Sequence, residues 1–175
     1  FRGWIGGVLM RFTDLMMAFP ALLLAICLAA IFEPSLWIVA LVIALVNWVQ
    51  TARVIYTETT SLSEREFIAA ERAIGAGHGR ILFRHIVPNL LGTVAVYATL
   101  TVPQLILFES FLSFLGLGVQ EPLTSLGRLV AEGALEMESS PWLLLVPSTV
   151  LACVLLCLNF LGDGLRDALD PRQRR

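Results

Sequence analysis

The sequence predicts an all-α integral membrane protein, a polytopic helix bundle with about four spans and a structured loop between the middle pair. Three observations predict it. Of 175 residues, 57% are hydrophobic and only 15% charged, and the mean hydropathy is +0.81, too apolar for a soluble domain of this size. Four runs carry no Asp, Glu or Arg: Leu15 to Phe32 (18 residues), Pro34 to Ala52 (19), His85 to Phe108 (24) and Ser139 to Gly162 (24). Each is close to or above the roughly 20 residues with which a helix crosses a hydrocarbon core of about 30 Å. The runs are unbroken Leu/Ala/Val stretches, without the period-two alternation of a transmembrane β-strand, which argues against a barrel.

The first run contains Pro20, the third Pro103 and the fourth Pro147, each a candidate kink. If all four runs cross, the connecting segments alternate sides. The N-terminal stretch, the Arg53 to Arg84 segment and the tail after Gly162 hold eleven of the 12 arginines; the Glu33-Pro34 turn and the Glu109 to Glu138 segment hold Arg128 alone. The positive-inside rule then makes the arginine-rich side cytoplasmic, the C-terminus included, and puts Trp37 and Trp142 at the outer ends of the second and fourth spans. Cys27, Cys153 and Cys157 fall inside spans, where a thiol serves as a small apolar packing group. Cys153 and Cys157 share a helix face, but neither histidine is nearby in sequence, so no metal site is assigned. A net charge of -2 gives no general attraction for nucleic acid. The chain has no lysine, so it lacks the P-loop residue that reaches the β/γ phosphates of a nucleotide. It begins Phe1-Arg2-Gly3, without an initiator Met or signal-peptide pattern, and reads as the C-terminal part of a longer membrane domain whose first helices are missing.

The segment 57–88 is more than a connector. Ser63-Glu64-Arg65-Glu66 has the form of a capping box and predicts a helix start. Phe67, Ile68, Ala70, Glu71 and Ile74 follow at mostly helical spacing, until Gly75 and Gly77 permit an exit. A second short helix is expected over Arg80 to Val87, with Ile81, Leu82 and Ile86 near one another and Pro88 ending it. Helices this short are marginal in water and need support. Two supports fit the residues equally: the lipid headgroups or the underside of the chain's own bundle, or a groove on a cytoplasmic partner.

Glu66-Phe67-Ile68-Ala69-Ala70-Glu71-Arg72-Ala73-Ile74-Gly75-Ala76, followed by Ile86-Val87-Pro88-Asn89, resembles the EAA loop of permease subunits of binding-protein-dependent ABC importers. Three further blocks extend the resemblance to the oligopeptide/dipeptide/nickel "C"-type branch over nearly the whole chain: Met10-Arg11-Phe12-Thr13-Asp14 leading into Ala18-Phe19-Pro20, Ser110 to Val119, and Leu158 to Pro171. The resemblance implies the type I permease fold, an inner-membrane location, and a cytoplasmic coupling helix in the loop. It also implies two separate ATP-binding subunits carrying ATP and Mg, a second permease chain, a periplasmic solute-binding protein, and no cofactor or catalytic residue on this chain. By position it assigns ATPase coupling to Glu66, Phe67, Ala69, Ala70, Glu71, Gly75, Ile86 and Pro88. One departure matters: the family's glutamate falls at Ala69, and Glu71 takes the place of the second alanine. Two residues turn a helix by about 200°, so Glu71 cannot point as that glutamate does. Glu66, three residues before Ala69, is nearer its face and is expected to take its role.

On the third span Asn89, Thr93, Tyr97, Thr101 and Gln104 fall within an arc of about 120°. Thr93, Tyr97, Thr101 and Gln104 are candidates to line a solute path; hydrogen bonding between helices of the bundle, at roughly 0.6 kcal/mol a bond, explains the stripe equally well. Gly92, Ala95 and Ala98 make a neighbouring small face suited to close helix packing. Glu109, about 18 Å up the helix from Tyr97, is placed at the outer interface rather than in a proton relay. The segment Ser110 to Val119, too short to span, is expected at the interface or in the outer mouth, and His78 and His85 are read as loop and helix-surface residues. Two rival functions remain at this point. An ion-coupled secondary transporter calls for a charged residue near mid-membrane, and the runs contain none. A membrane scaffold leaves the loop without a nucleotide-binding partner.

Overall fold

The computed structural model describes residues 4–169, which contain helices and no strand. Arg2, Arg172, Arg174 and Arg175, counted above toward the charge asymmetry, lie outside the described residues, as do Asp170 and Pro171. The first charge-free run is not a single helix. It is divided between α1 (Trp4–Met17) and α2 (Ala21–Ile31), which meet at 83°. Pro20 disfavours helical backbone at Phe19 and brings no amide of its own, so α1 closes with Ala18 and Phe19 donating to the carbonyls of Leu15 and Met16. The proline expected to kink this span breaks it. By length and composition three helices among the described residues can cross a membrane, or up to four if the bent pair counts as one span.

Helix α3 (Leu36–Ser63) starts at Ser35, whose hydroxyl accepts from the Ile38 amide at 3.3 Å. Its 28 residues measure about 42 Å, some 12 Å more than the hydrocarbon thickness. Its last two turns are polar, and the hydroxyls of Thr57 and Thr60 donate back to the carbonyls of Arg53 and Tyr56. Helix α1 is tied to this helix by an Asp14–Arg53 ion pair and by Phe12 stacked on Trp48, ring centroids 6.1 Å apart. After the loop helix α4 (Glu66–Ala73), a second rod runs continuously for 37 residues, His78 to Phe114. It comprises α5 (His78–Ile81), a π-turn over Leu82–Ile86, and α6 (Val87–Phe114). The separate helix expected over Arg80 to Val87 is therefore absorbed into this rod, and Pro88 sits in the first turn of α6 rather than ending anything.

The rod ends at Gly116, whose φ of 78° accepts the left-handed turn that closes the helix. Helix α7 (Leu126–Leu135) then folds back between α6 and α8 (Trp142–Leu169). A Cβ on Gly127 would collide with the Ser110 backbone, and one on Gly133 with the backbone of Leu143. The close approach expected at Gly92, Ala95 and Ala98 is made here instead: Gly92 has nothing near its Cβ position, and Ala95 and Ala98 are exposed. Arg128 on α7 reaches Glu132 at 2.7 Å and Glu121 at 2.9 Å, pinning the preceding loop. The Glu132 hydrogen bond foremost, joined by the charges of Glu132 and Glu121, raises the Arg128 pKa above its ordinary value. Pro103 and Pro147 stay inside continuous helices.

Helices α3 and α6 run antiparallel, with a small core at each end. Ala25, Val42, Val46 and Leu112 form one, near the tryptophans; Leu62, Ile68, Ile81, Ile86 and Leu90 form the other, near the arginines. Most large apolar side chains point outward instead, among them Trp37 (81% exposed), Trp142, Leu145 and Phe160. That distribution suits a molecule surrounded by lipid and partner helices, where apolar contact needs no burial within the chain.

Candidate functional site

The loop between α3 and the second rod is a miniature folded unit, and its geometry follows from three local devices. The first is the start of α4. Ser63 does not cap it: its hydroxyl donates to the Thr60 carbonyl at 2.8 Å, Ser63 is the last residue of α3, and Arg65 stands at the cap position with no side-chain bond. The expected capping box therefore does not form. Continuing α3 through Ser63 delivers Leu62 into the loop core, and α4 keeps a favourable charge at each end instead, Glu66 in its first turn and Arg72 in its last.

The second device is the end of α4. Gly75 has φ of 84°; its amide bonds to the Arg72 carbonyl at 3.1 Å and the next amide, Ala76, reaches back to Glu71 at 3.0 Å. This is the Schellman pair, and it needs the left-handed backbone that glycine adopts without cost.

The third is the π-turn. Pro88 has no amide for the Arg84 carbonyl, and its ring would crowd that carbonyl. The chain widens by one residue, and Val87 donates to Leu82 instead. In a continuous α-helix Ile81 and Ile86 would lie about 140° apart. The added residue lets both enter one core with Leu90, around Ile68, which is 0% exposed. Intramolecular packing thus supplies the support that such short helices require.

What remains outside that core is the candidate docking surface. Glu66, Ala69, Ala70 and Ala73 are exposed along the outer face of α4, flanked by exposed Phe67, by Ile74 (80% exposed) and by Phe83 (73%) on the π-turn. Glu66 forms no ion pair among the described residues, whereas Glu71 is turned inward, its Oε1 3.3 Å from His85 Nε2. The His85 ring also lies against Phe67, with centroids 6.4 Å apart. Of the remaining coupling candidates, Gly75 forms the turn, Ile86 is in the core, and Pro88 shapes the rod. His85, read from the sequence as a surface residue, is half-buried and bridges the rod to α4.

On α6 the polar stripe divides. Asn89 turns its amide back onto the His85 carbonyl at 2.6 Å, and the Thr101 hydroxyl bonds to the carbonyls of Tyr97 and Ala98. Thr93 and Gln104 are exposed, Tyr97 is half-buried, and none of the three makes a side-chain hydrogen bond among the described residues. At the tryptophan end Glu109 accepts from Ser113 at 2.6 Å and borders an open groove of about 340 Å³ shared with Leu36, Val39, Ile43, Leu123 and Ser125. It lies beside the first turns of α3, at an end of the bundle rather than its middle. Residues Ser110 to Phe114 complete α6, so the short outer segment expected from Ser110 begins as helix. Cys27, Cys153 and Cys157 are free and exposed, and the described residues hold no cluster of three metal-ligating side chains.

A family model described as the inner membrane component of binding-protein-dependent transport systems matches residues 1–175. The chain belongs to this family. It is 47% identical, over 98% of its length, to the oligopeptide transport system permease protein OppC of Haemophilus influenzae, and 49% identical over 98% to the OppC of Escherichia coli K12. It is 44% identical over 97% of its length to a putative peptide permease protein of Brucella ovis. In each case the match covers 57% of the relative, so the chain spans little more than half the length of the curated relatives it matches. Family membership agrees with the all-helical membrane fold read from the sequence. Sequence reasoning read His85 as a surface residue and Asn89 as part of the polar stripe, and missed that both serve the loop. The signal for both was Pro88 itself, since a proline one turn into a helix leaves the preceding carbonyls seeking other donors.

Proposed function

We propose that this chain is the inner-membrane permease subunit of an ABC importer that passes peptides, with nickel or a related solute as the branch alternatives. Its arginine-rich loop and C-terminus face the cytoplasm. Two ATP-binding subunits supply hydrolysis with their own ATP and Mg, a second permease chain completes the pathway, and a periplasmic solute-binding protein delivers the solute. The family match along residues 1–175, together with the names of the oligopeptide permease relatives, carries this reading.

The loop geometry supports the coupling role in detail. An outer face of three alanines lets a groove wall approach closely, while Phe67, Ile74 and Phe83 offer apolar anchors around it. Glu66, exposed on that face, is the better candidate than Glu71 for an ion pair with an ATPase arginine, because Glu71 is already engaged by His85. Exposed Thr93 and Gln104, with Tyr97 and Thr101 beside them, are the proposed pathway contacts; uncharged hydrogen-bonding groups can partner peptide amides without trapping them. Deleting Phe67 to Ile74 tests the proposal: membrane insertion should persist while the ATP-binding subunits no longer co-purify, and retained co-purification would remove the loop from the coupling role.

A further inference from the structure

We infer that His85 is a positioning residue that locks the loop helix α4 to the α6 rod, so that a push on α4 reaches the helix carrying the polar stripe. The inference rests on the coupling role proposed for α4. Its starting point is an asymmetry in how α4 is attached. Toward α3 the link is two residues, Glu64 and Arg65, with Arg65 Cα already committed to the helix start. Toward the rod it is Ile74 to Gly77, with glycine at both Gly75 and Gly77, the most pliant backbone available. By chain connection alone, α4 would follow α3 and swing about the glycines relative to α6.

Two contacts oppose that swing. One is the shared core around Ile68, which is apolar and non-directional and so resists separation better than rotation. The other is a pair of side-chain contacts at defined positions. His85 Nε2 faces Glu71 Oε1 at 3.3 Å, its ring lies against Phe67, and both partners are on α4, four residues apart and therefore on one flank. A helix held at two points along a flank cannot roll.

His85 is itself unusually well fixed. It occupies the fourth position of the π-turn that Pro88 imposes, and its carbonyl is taken by the Asn89 side chain at 2.6 Å. In an uninterrupted α-helix the rod before Pro88 would be rotated by about 100° relative to α6, so the face that carries Ile81 and His85, one turn apart, would no longer line up with Ile86 and Leu90. The proline, the asparagine, the histidine and the glutamate thus form one chain of dependence from α6 to α4. Its central member, His85, belongs to neither the docking face nor the polar stripe.

The test compares His85→Ala, His85→Gln and the exchanged pair Glu71→His with His85→Glu, in the full-length protein assembled with its ATP-binding subunits and binding protein. The readouts are subunit co-purification, ATP hydrolysis, and uptake of labelled trialanine. With His85→Ala the ATP-binding subunits should still co-purify, while uptake per ATP hydrolysed falls about two- to fivefold, the scale of a partly exposed polar pair. His85→Gln, whose amide can place a polar group beside Glu71, and the exchanged pair should both recover most of that ratio. An unchanged ratio in His85→Ala overturns the inference, and so does a loss of co-purification, which would make His85 part of the docking surface. Failure of the unaltered protein to bind ATP-binding subunits would instead overturn the proposed function.

Discussion

Replacing Gly75 by valine separates the cost of a backbone conformation from the cost of a collision, because a Cβ at this position meets nothing within 4 Å. Only the φ of 84° stands against the substitution. A side chain in left-handed backbone costs roughly 1–2 kcal/mol, and valine, branched at Cβ, belongs at the upper end. The penalty falls on the two hydrogen bonds that close α4, from Gly75 to Arg72 and from Ala76 to Glu71. If the last turn of α4 opens to relieve it, the open population rises by a factor of about 5–30. Amide hydrogen exchange on the purified protein reads this directly: the Ile74, Gly75 and Ala76 amides should exchange faster by that factor, while amides in the α6 span stay as they were. Gly75→Asn is the control, since asparagine tolerates the left-handed region. Equal protection in the valine and asparagine variants would refute the assignment of Gly75 to a turn that glycine makes possible.

Ile68→Ala should remove the centre of the loop core, at a cost of about 2–5 kcal/mol, and make residues 64–77 the first site of limited proteolysis; a loop as resistant as the unaltered one would contradict the core assignment. Gly127→Leu should expel α7 from its seat on α6, so that a cysteine placed at Ser110, buried in the native protein, becomes reactive toward a thiol reagent; continued protection would show that the backbone contact is dispensable. Thr93→Val with Gln104→Leu should lower peptide uptake without affecting recruitment of the ATP-binding subunits, and unchanged uptake would remove this stripe from the pathway.

The long elements were legible because their cause is local: a stretch without charges must be surrounded by lipid or apolar helix, and α3, α6 and α8 each follow such a run. Gly75 was legible for the same reason, as a glycine closing a short amphipathic stretch. The failures share a different cause. Ser63 to Glu66 has the local chemistry of a helix start, but the position of Leu62 in the loop core keeps α3 helical through Ser63, and that core is assembled from residues up to 28 positions apart. Nor does spacing reveal that the break at Pro20 is 83°, whereas Pro103 and Pro147 sit inside unbroken helices. The small face at Gly92 looked like a packing face because small residues permit contact; contact was made at Gly127 and Gly133, where α7 returns to the bundle, a tertiary fact. His85 was passed over because a histidine beside a membrane run has no local partner; Glu71 is fourteen residues away and meets it only after the π-turn forms.

The central claim is that the exposed face of α4 is held by an ATP-hydrolysing partner. A photo-reactive amino acid at Ala70, on that face, tests it most directly in membranes containing the assembled transporter, with Trp37 at the opposite end of α3 as the comparison. The account predicts an adduct between Ala70 and the ATP-binding subunit and none from Trp37. An Ala70 that forms adducts only with lipid or with a periplasmic protein would contradict it.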